Sequence, residues 1–261
     1  MSRKVTAPGL RQMADSGEKI VCITAYDYTS ALICEQAGVD VVLVGDSLGN
    51  VIQGHPTTVP VTLEEMVYHT RCVRRGLSSP LLVADLPFGS YNVSVEQAVA
   101  SAIDLMKAGA DAVKLEGDYT EEIKAIRKAG IPVMGHVGFT PQSINEFGGH
   151  KVQGRGDGGK DVLAEAFAIE DAGAFGIVLE MIPTTVSGQI TKELQIPTIG
   201  IGAGSCCDGQ IQVWHDVFGL SSRKLKHARW FAQGQDVFGS ALSEYISTTK
   251  SGAFPTSENS F

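Results

Sequence analysis

Six apolar segments typical of β-strands end near a polar residue that could take part in catalysis. The first ends at Thr24, shortly before Tyr26. In a closed barrel of parallel strands all strand ends meet on one face, where active sites lie. Four carboxylates, one lysine and one histidine at such a mouth predict a metal site combined with a proton-transfer site. In chain order these residues are Asp46, Asp85, Lys114, Glu116, His136 and Glu180, with Ser47 next to the first.

Asp46, Asp85 and Glu116 follow three successive strands and predict a site for a hard divalent cation. Mg²⁺ typically binds one or two carboxylates, with water and substrate oxygens completing its shell. Zinc is disfavoured because the cluster has neither thiolates nor the histidine spacing of zinc sites. The structural alternative is that each carboxylate caps the following helix or pairs with Lys114.

Lys114 and Glu116 are two residues apart on one strand and therefore share a face. If that face is the barrel interior, Lys114 could hold a substrate carboxylate. It could also form a Schiff base, but neighbouring carboxylates would raise its pKa and keep it charged. An internal ion pair is the plain alternative.

His136 and Glu180 end the fifth and sixth predicted strands. His136 could donate a hydrogen bond to a substrate oxygen or serve only in packing. Burial would raise the pKa of Glu180 and make it a plausible general base. The alternative for Glu180 is a satisfied carboxylate at a strand end.

The elements that would position these residues alternate between strand and helix. Similar segments recur at "AGVDVVLV", "AGADAVKL", "AGIPVMGH" and "AGAFGIVL", where a helix closes at Ala-Gly and a strand follows. The sequence predicts seven strands up to Ile201 and an eighth at residues 211–215, hence a single (β/α)8 TIM barrel over residues 1–261. The predicted helices are residues 29–37, 62–75, 94–108, 120–129, 160–172 and 184–194, with a final helix at 235–251.

Two long segments are additional to the barrel, at residues 48–61 and 138–159, and the second contains seven glycines. Both follow strand ends, so we expect them to lie over the mouth as lids or binding loops. The glycine-rich segment 200–205 follows strand seven, where barrels often bind phosphate through backbone N–H groups. No Arg or Lys lies within it to assist.

The composition of the chain argues against several classes of protein. The chain has 261 residues, 43% hydrophobic and 19% charged, which is ordinary for one large globular domain. A net charge of −8 argues against non-specific nucleic-acid binding. The first 20 residues lack the apolar core of a signal peptide, and no apolar run approaches the ~18 residues of a membrane span. The five cysteines lack a C-x-x-C spacing, which indicates reduced thiols and a cytoplasmic location.

The chain closely resembles the 3-methyl-2-oxobutanoate (ketopantoate) hydroxymethyltransferases. The resemblance extends over roughly residues 5–255, in order, which is far more specific than any single motif above. The matching segments include "TAYDYTSA", "VGDSLGNVIQGHPTTVPVTLEEM", "ADLPFGSY", "AVKLEG", "GHVGFTPQSIN", "FGGHKVQGR", "LEMIP", "IPTIGIGAG" and "CDGQIQVWHDVFG".

The resemblance implies transfer of a one-carbon unit from 5,10-methylenetetrahydrofolate to 3-methyl-2-oxobutanoate with Mg²⁺, in the biosynthesis of pantothenate and coenzyme A. It implies a homodecamer without nucleic-acid or membrane partners. Carried over by position, it implies that Asp46 and Asp85 bind Mg²⁺, with Glu116 a further ligand or a supporting partner. Ser47, Lys114 and His136 would bind the substrate, together with the two aspartates, and Glu180 would accept the proton.

Two other functions remain open. The first is a Mg²⁺-dependent barrel lyase or mutase of the phosphoenolpyruvate mutase/isocitrate lyase type. Such enzymes share enolate chemistry but usually need a phosphate or second carboxylate contact, and often a loop cysteine, for which Cys206 and Cys207 are the candidates. The second is a non-catalytic barrel, against which the intact set of carboxylates, Lys114 and Glu180 argues.

Overall fold

Eight parallel strands form a closed barrel in the computed structural model, which describes residues 4–222 and 224–261. Each strand pairs with the next, and β8 pairs with β1 to complete the ring. The (β/α)8 prediction is therefore confirmed. The strands are β1 (Ile20–Thr24), β2 (Val41–Val44), β3 (Leu81–Asp85), β4 (Ala112–Lys114), β5 (Val133–Gly138), β6 (Gly176–Glu180), β7 (Thr198–Ile201) and β8 (Gly209–Gln212).

The predicted helices are all present, with ends that differ from the predicted ones by at most two residues. Thr62 caps its helix as a capping box: its hydroxyl accepts from the Glu65 N–H, and the Glu65 carboxylate accepts from the Thr62 N–H. The helices are α1 (Ala7–Asp15), α2 (Tyr28–Ala37), α3 (Leu48–Val51), α4 (Leu63–Arg74), α5 (Val95–Ala108), α6 (Thr120–Lys128), α7 (Ile144–Phe147), α8 (Gly158–Asp171), α9 (Thr184–Glu193), α10 (Trp214–Val217) and α11 (Gly234–Ser251).

The barrel interior below the strand ends is an apolar core built from alternate residues of the strands. Leu10 of α1 packs into this core beside Ile20 and Val41, the first residues of their strands. Helix α1 therefore covers the amino-terminal end of the barrel, a role that the sequence analysis did not anticipate. The other members of this cluster are Cys22, Leu43, Leu81, Val83, Ala112, Met134, Val178, Ile199 and Ile211.

The position of the eighth strand differs from the prediction. The strand spans Gly209–Gln212 instead of 211–215, and Trp214–Val217 forms a helical turn. Gly209 pairs with Ile20, and a Cβ at Gly209 would collide with the Ile20 carbonyl oxygen and side chain. The sequence rule that a strand begins at an apolar residue missed this start, because the close approach requires glycine.

The chain divides into two compact units, one ending at Val213 and one comprising Trp214–Phe261. The complete barrel lies in the first unit, and α10 and α11 lie in the second. The single-domain prediction stays a prediction, and its residues 1–3 and 223 lie outside the described part of the chain. Among the described helices, none combines the length and apolarity that crossing a membrane requires.

Candidate active site

The strand ends bring five predicted residues into one continuous charged network. Lys114 Nζ lies 2.7 Å from Asp85 Oδ1 and 3.7 Å from Glu116 Oε1. The imidazole of His136 continues the network: its Nδ1 lies 3.3 Å from Glu116 Oε1, and its Nε2 lies 3.4 Å from Glu180 Oε2. The Glu180 side chain is 14% exposed, whereas the other four are buried. Residues from β3 to β6 therefore form one polar layer above the apolar core.

Asp46 and Ser47 complete this layer from the end of β2. The backbone N–H of Asp46 donates to Asp85 Oδ2 at 3.1 Å, so the two aspartates are immediate neighbours. The hydroxyl of Ser47 lies 2.9 Å from the Tyr26 hydroxyl. Tyr26 is buried, and burial raises the pKa of its phenol, so it stays neutral. All seven residues predicted from the sequence thus belong to one site.

Burial and mutual repulsion set the electrostatics of the aspartates. Burial raises the pKa of Asp46, and the charges of Glu116 and Asp85 raise it further. Burial also raises the pKa of Asp85, although the Lys114 charge opposes this. The layer therefore contains more buried negative charge than its lysine neutralises.

The basic residues respond to the same charges. Burial would lower the pKa of Lys114, but Asp85 and Glu116 outweigh this effect and raise it. Burial and Lys114 would lower the pKa of His136, but Glu116 and Glu180 raise it to about 9. The His136 and Lys114 charges outweigh burial at Glu116 and lower its pKa. Lys114 is accordingly a charged ammonium group.

The donor set fits Mg²⁺ better than zinc. Within the described ranges, no three His, Cys, Asp or Glu side chains are grouped so that they could hold a metal ion by themselves. Asp46 and Asp85 offer two adjacent buried carboxylates, and burial raises the pKa of both. A Mg²⁺ ion bound by one or two carboxylates, water and substrate oxygens suits such a pair, whereas a protein zinc site needs three or four ligands.

The long loop after β5 is attached by hydrogen bonds to the carbonyl groups of Glu180 and Met181. Phe139 N–H donates to the Glu180 carbonyl at 2.9 Å, and Gln153 N–H donates to the Met181 carbonyl at 3.0 Å. Met181 has φ 46°, the one positive φ of a non-glycine residue in the described chain. Gly138 has φ 94°, and a Cβ there would collide with the Glu180 carbonyl oxygen. The direction of Glu180 therefore depends on this loop.

A family model described as ketopantoate hydroxymethyltransferase matches residues 4–257. The chain belongs to this family. A relative from Rhodococcus jostii (strain RHA1), named 3-methyl-2-oxobutanoate hydroxymethyltransferase, is 51% identical over 99% of this chain and 91% of its own. A relative of the same name from Chloroflexus aggregans (strain MD-66 / DSM 9485) is 50% identical over 98% of this chain and 93% of its own.

Solved structures of other enzymes have a fold similar to that of this chain. A phosphonopyruvate hydrolase complex with oxalate and Mg²⁺ has a TM-score of 0.64 and 16% identity over 98% of this chain and 93% of its own. A phosphoenolpyruvate phosphomutase from Streptomyces platensis subsp. rosaceus has a TM-score of 0.65 and 15% identity over 95% of this chain and 88% of its own. At these identities the likeness is one of fold alone.

The sequence analysis missed two candidate functional residues. Gln142 and Tyr91 are buried neutral side chains. Gln142 donates to the Asp46 carboxylate, and the Tyr91 hydroxyl contacts the backbone of Glu116 and the Gln142 amide. Both lie in segments that match the family, "GHVGFTPQSIN" and "ADLPFGSY". Neither ends an apolar strand, so the strand-end pattern gave no signal for them.

The glycine-rich segment after β7 has its carbonyl groups engaged within the barrel unit. Gln210 Nε2 donates to the Gly204 carbonyl at 2.9 Å, and Ser187 Oγ donates to the Ala203 carbonyl at 2.5 Å.

Of the adjacent cysteines, Cys206 is exposed and Cys207 is buried. Burial raises the pKa of Cys207, which disfavours a thiolate.

Proposed function

We propose that this chain transfers a hydroxymethyl group from 5,10-methylenetetrahydrofolate to 3-methyl-2-oxobutanoate and so forms ketopantoate. The observation that carries the proposal is the buried layer in which a carboxylate pair, a charged lysine and a carboxylate base occupy one barrel mouth. Membership of the family supports the substrate assignment. Overall, the C3–H bond of the keto acid breaks and C3 bonds to the folate methylene carbon. Both C–N bonds of that carbon break, water supplies the hydroxyl oxygen, and tetrahydrofolate leaves with the two protons on its nitrogens.

The cation would lie at Asp46 and Asp85. When bound, Mg²⁺ would supply the positive charge that makes the C3 proton of an α-keto acid easier to remove. Glu116 would be a further ligand or would support the site from behind. Its Oε2 already accepts a hydrogen bond from the Gln142 N–H at 3.0 Å, and its Oε1 lies close to His136, which favours the supporting role.

Substrate binding is assigned to the charged and hydroxyl groups around the cation. Lys114 would hold the keto acid carboxylate, because its neighbours keep it protonated at neutral pH. The same charge state argues against a Schiff base, which requires a neutral amine. Ser47, fixed by Tyr26, would donate a hydrogen bond to the substrate. His136 would orient a substrate oxygen.

Glu180 would remove the C3 proton. It lies on the opposite side of His136 from the proposed metal pair and is the most exposed member of the charged network. A partly exposed carboxylate can accept a proton from a bound substrate, whereas both oxygens of Glu116 already have partners. The enolate carbon formed in this way would attack the folate methylene carbon.

The remaining assignments rest on family membership. We propose a homodecamer with small-molecule substrates only, located in the cytoplasm, with no nucleic-acid or membrane partner. The acidic net charge of −8 is consistent with the absence of nucleic-acid binding.

A turnover assay tests the proposal. Purified protein with Mg²⁺, 3-methyl-2-oxobutanoate and 5,10-methylenetetrahydrofolate should form ketopantoate, measured by mass spectrometry, and removal of the cation with a chelator should stop the reaction. The alternative function, a phosphoenolpyruvate mutase or isocitrate lyase type of activity, has its support in the shared fold. Turnover of phosphonopyruvate or isocitrate without ketopantoate formation would favour that alternative.

A further inference from the structure

Gln142 makes four hydrogen bonds, three of them to residues at the ends of three strands. It lies in the short 3-10 turn Pro141–Ser143 of the loop after β5 and is buried. Its side-chain Nε2 donates to Asp46 Oδ2 at 2.9 Å and to the Leu86 carbonyl at 3.0 Å. Its backbone N–H donates to Glu116 Oε2 at 3.0 Å. The fourth bond joins its Oε1 to the Tyr91 hydroxyl at 2.7 Å.

These partners determine the orientation of the Gln142 amide. The Nε2 faces a carboxylate oxygen of Asp46 and a carbonyl oxygen, both of which can only accept while the carboxylate is ionised. The Oε1 faces a hydroxyl, which can donate. A flipped amide would place its oxygen against two acceptors, so the arrangement permits one orientation only.

Tyr91 holds this orientation from behind. It is 1% exposed, and its hydroxyl lies 3.2 Å from the Glu116 carbonyl and accepts from the Glu116 N–H at 3.3 Å. Burial raises the pKa of its phenol, so the hydroxyl remains a donor. Its ring packs edge-on against Tyr119, with centroids 4.9 Å apart. A rigid phenol therefore links the loop to the backbone at the end of β4.

We propose that Gln142, oriented by Tyr91, is a positioning residue that fixes the rotation of the Asp46 carboxylate for cation binding. Because Oδ2 accepts from the Gln142 amide, the plane of the carboxylate is fixed, and Oδ1 is the oxygen that the cation would contact. The backbone N–H of Gln142 also donates to the Glu116 carboxylate. One residue therefore fixes the orientation of two carboxylates of the site, one through its side chain and one through its backbone. Partners that orient metal-binding carboxylates typically change metal affinity or activity by about 10- to 100-fold when removed. The inference rests on the proposed Mg²⁺-dependent reaction.

The test compares Gln142→Met, which keeps the length of the side chain but removes its hydrogen bonds, with wild type. The matched control is Gln189→Met, an exposed glutamine whose amide contacts Glu193. Titration calorimetry with Mg²⁺ should give a dissociation constant raised by about 10-fold or more for Gln142→Met and unchanged for the control. The KM for the keto acid should rise in parallel, and higher Mg²⁺ should restore much of kcat. If Gln142 served only in packing, the variant would lose thermal stability, but its Mg²⁺ dissociation constant and KM would not rise and added Mg²⁺ would not restore kcat.

Tyr91→Phe is the second variant, because it removes one hydroxyl and preserves the ring. It should raise the Mg²⁺ dissociation constant by several-fold, less than Gln142→Met, since the amide loses its Oε1 partner but keeps both acceptors at Nε2. If Gln142→Met folds and binds Mg²⁺ with wild-type affinity, the inference is wrong. If Gln142→Met does not fold, wild-type Mg²⁺ affinity in Tyr91→Phe contradicts the inference instead. If wild type makes no ketopantoate but binds Mg²⁺ in a Gln142-dependent way, the proposed function fails and the inference stands. Absence of Mg²⁺ binding by wild type contradicts both.

Discussion

The imidazole Nε2 of His136 lies 3.4 Å from the carboxylate of Glu180. Because the other ring nitrogen faces Glu116, the histidine connects the proposed base to the side of the site where the cation would bind. The pKa of His136, raised to about 9, keeps the ring positively charged at neutral pH. The site therefore contains two internal cations, His136 and Lys114, among its four carboxyl groups.

Glu180→Gln should abolish proton removal without abolishing binding. Wild type with Mg²⁺ should exchange the C3 proton of 3-methyl-2-oxobutanoate for deuterium in D₂O without folate, followed by proton NMR. The variant should lose this exchange by ~10²-fold or more, the usual contribution of a general base. Its Mg²⁺ and keto acid affinities, measured by calorimetry, should be close to those of wild type. Exchange at the wild-type rate would place the base elsewhere, with His136 the next candidate.

Asp46→Asn and Asp85→Asn should each weaken both Mg²⁺ and keto acid binding, because the acid would reach the protein through the cation. Calorimetric titrations with Mg²⁺ alone, and with keto acid in the presence of Mg²⁺, separate the two effects. Asp157→Asn, at an exposed position, is the control. A keto acid affinity that stays at the wild-type value in either variant would refute the shared-cation site.

Lys114→Ala should raise the KM for the keto acid and also destabilise the fold. Lys114 is the close cation of the buried Asp85, and breaking a buried ion pair by removing one partner typically costs about 3 to 5 kcal/mol. The control is Lys124→Ala, which removes the exposed contact with Glu121 and should change stability by less than about 1 kcal/mol. A borohydride-trapped adduct on Lys114, detected by mass spectrometry, would show a Schiff base instead.

Glu165 of α8 should make stability depend on pH. Burial and the Asp118 charge raise its pKa from 4.5 to about 7, although the His136 charge opposes this. The folded state therefore holds the proton more tightly than the unfolded state, and stability falls as pH rises from 4.5 through 7. Glu165→Gln should be more stable than wild type above pH 7, by up to about 3 kcal/mol at about 1.4 kcal/mol per pKa unit.

Urea unfolding of Glu165→Gln and wild type at pH 4.5 and 8 provides the measurement, with Glu18→Gln as an exposed control. The advantage of the Glu165 variant should shrink towards pH 4.5, where the wild-type carboxyl is protonated in the folded state and about half protonated in the unfolded state. An equal difference at both pH values would exclude this linkage.

Gly138→Ala should impair both folding and catalysis. Gly138 has φ 94°, and the new methyl group would meet the Glu180 carbonyl and the Ile182 side chain. Gly130→Ala is the matched control, because it has φ 87° but open space around the added group. The control should show only the conformational cost, about 1 kcal/mol, with normal exchange at C3. Equal loss of stability in the two variants would mean that the contact with Glu180 contributes nothing.

The residues of the polar layer could be predicted from the sequence, because each charged residue follows an apolar run and this pattern is local in the chain. Asp85, Lys114 and Glu180 could be assigned to one mouth once the barrel was inferred, since parallel strands end on one face. Gln142 could not be found in this way, because its contact with Asp46 joins residues 96 positions apart through a loop of irregular conformation.

Helix α1 illustrates a second limit of the sequence analysis. Its signals were present, with Thr6 as the cap and Pro8 in the first turn. The role of the helix could not be predicted, because the placement of Leu10 against the lower barrel core depends on tertiary packing.

The two hydrogen bonds from the β5 loop to the carbonyls of Glu180 and Met181 couple this loop to the proposed base. Outward movement of the loop to admit a bulky folate would break both bonds and remove the support of the Met181 turn. Both bonds would have to form again before the Glu180 carboxylate regains its direction, so folate entry and proton removal would occur in separate states of the loop.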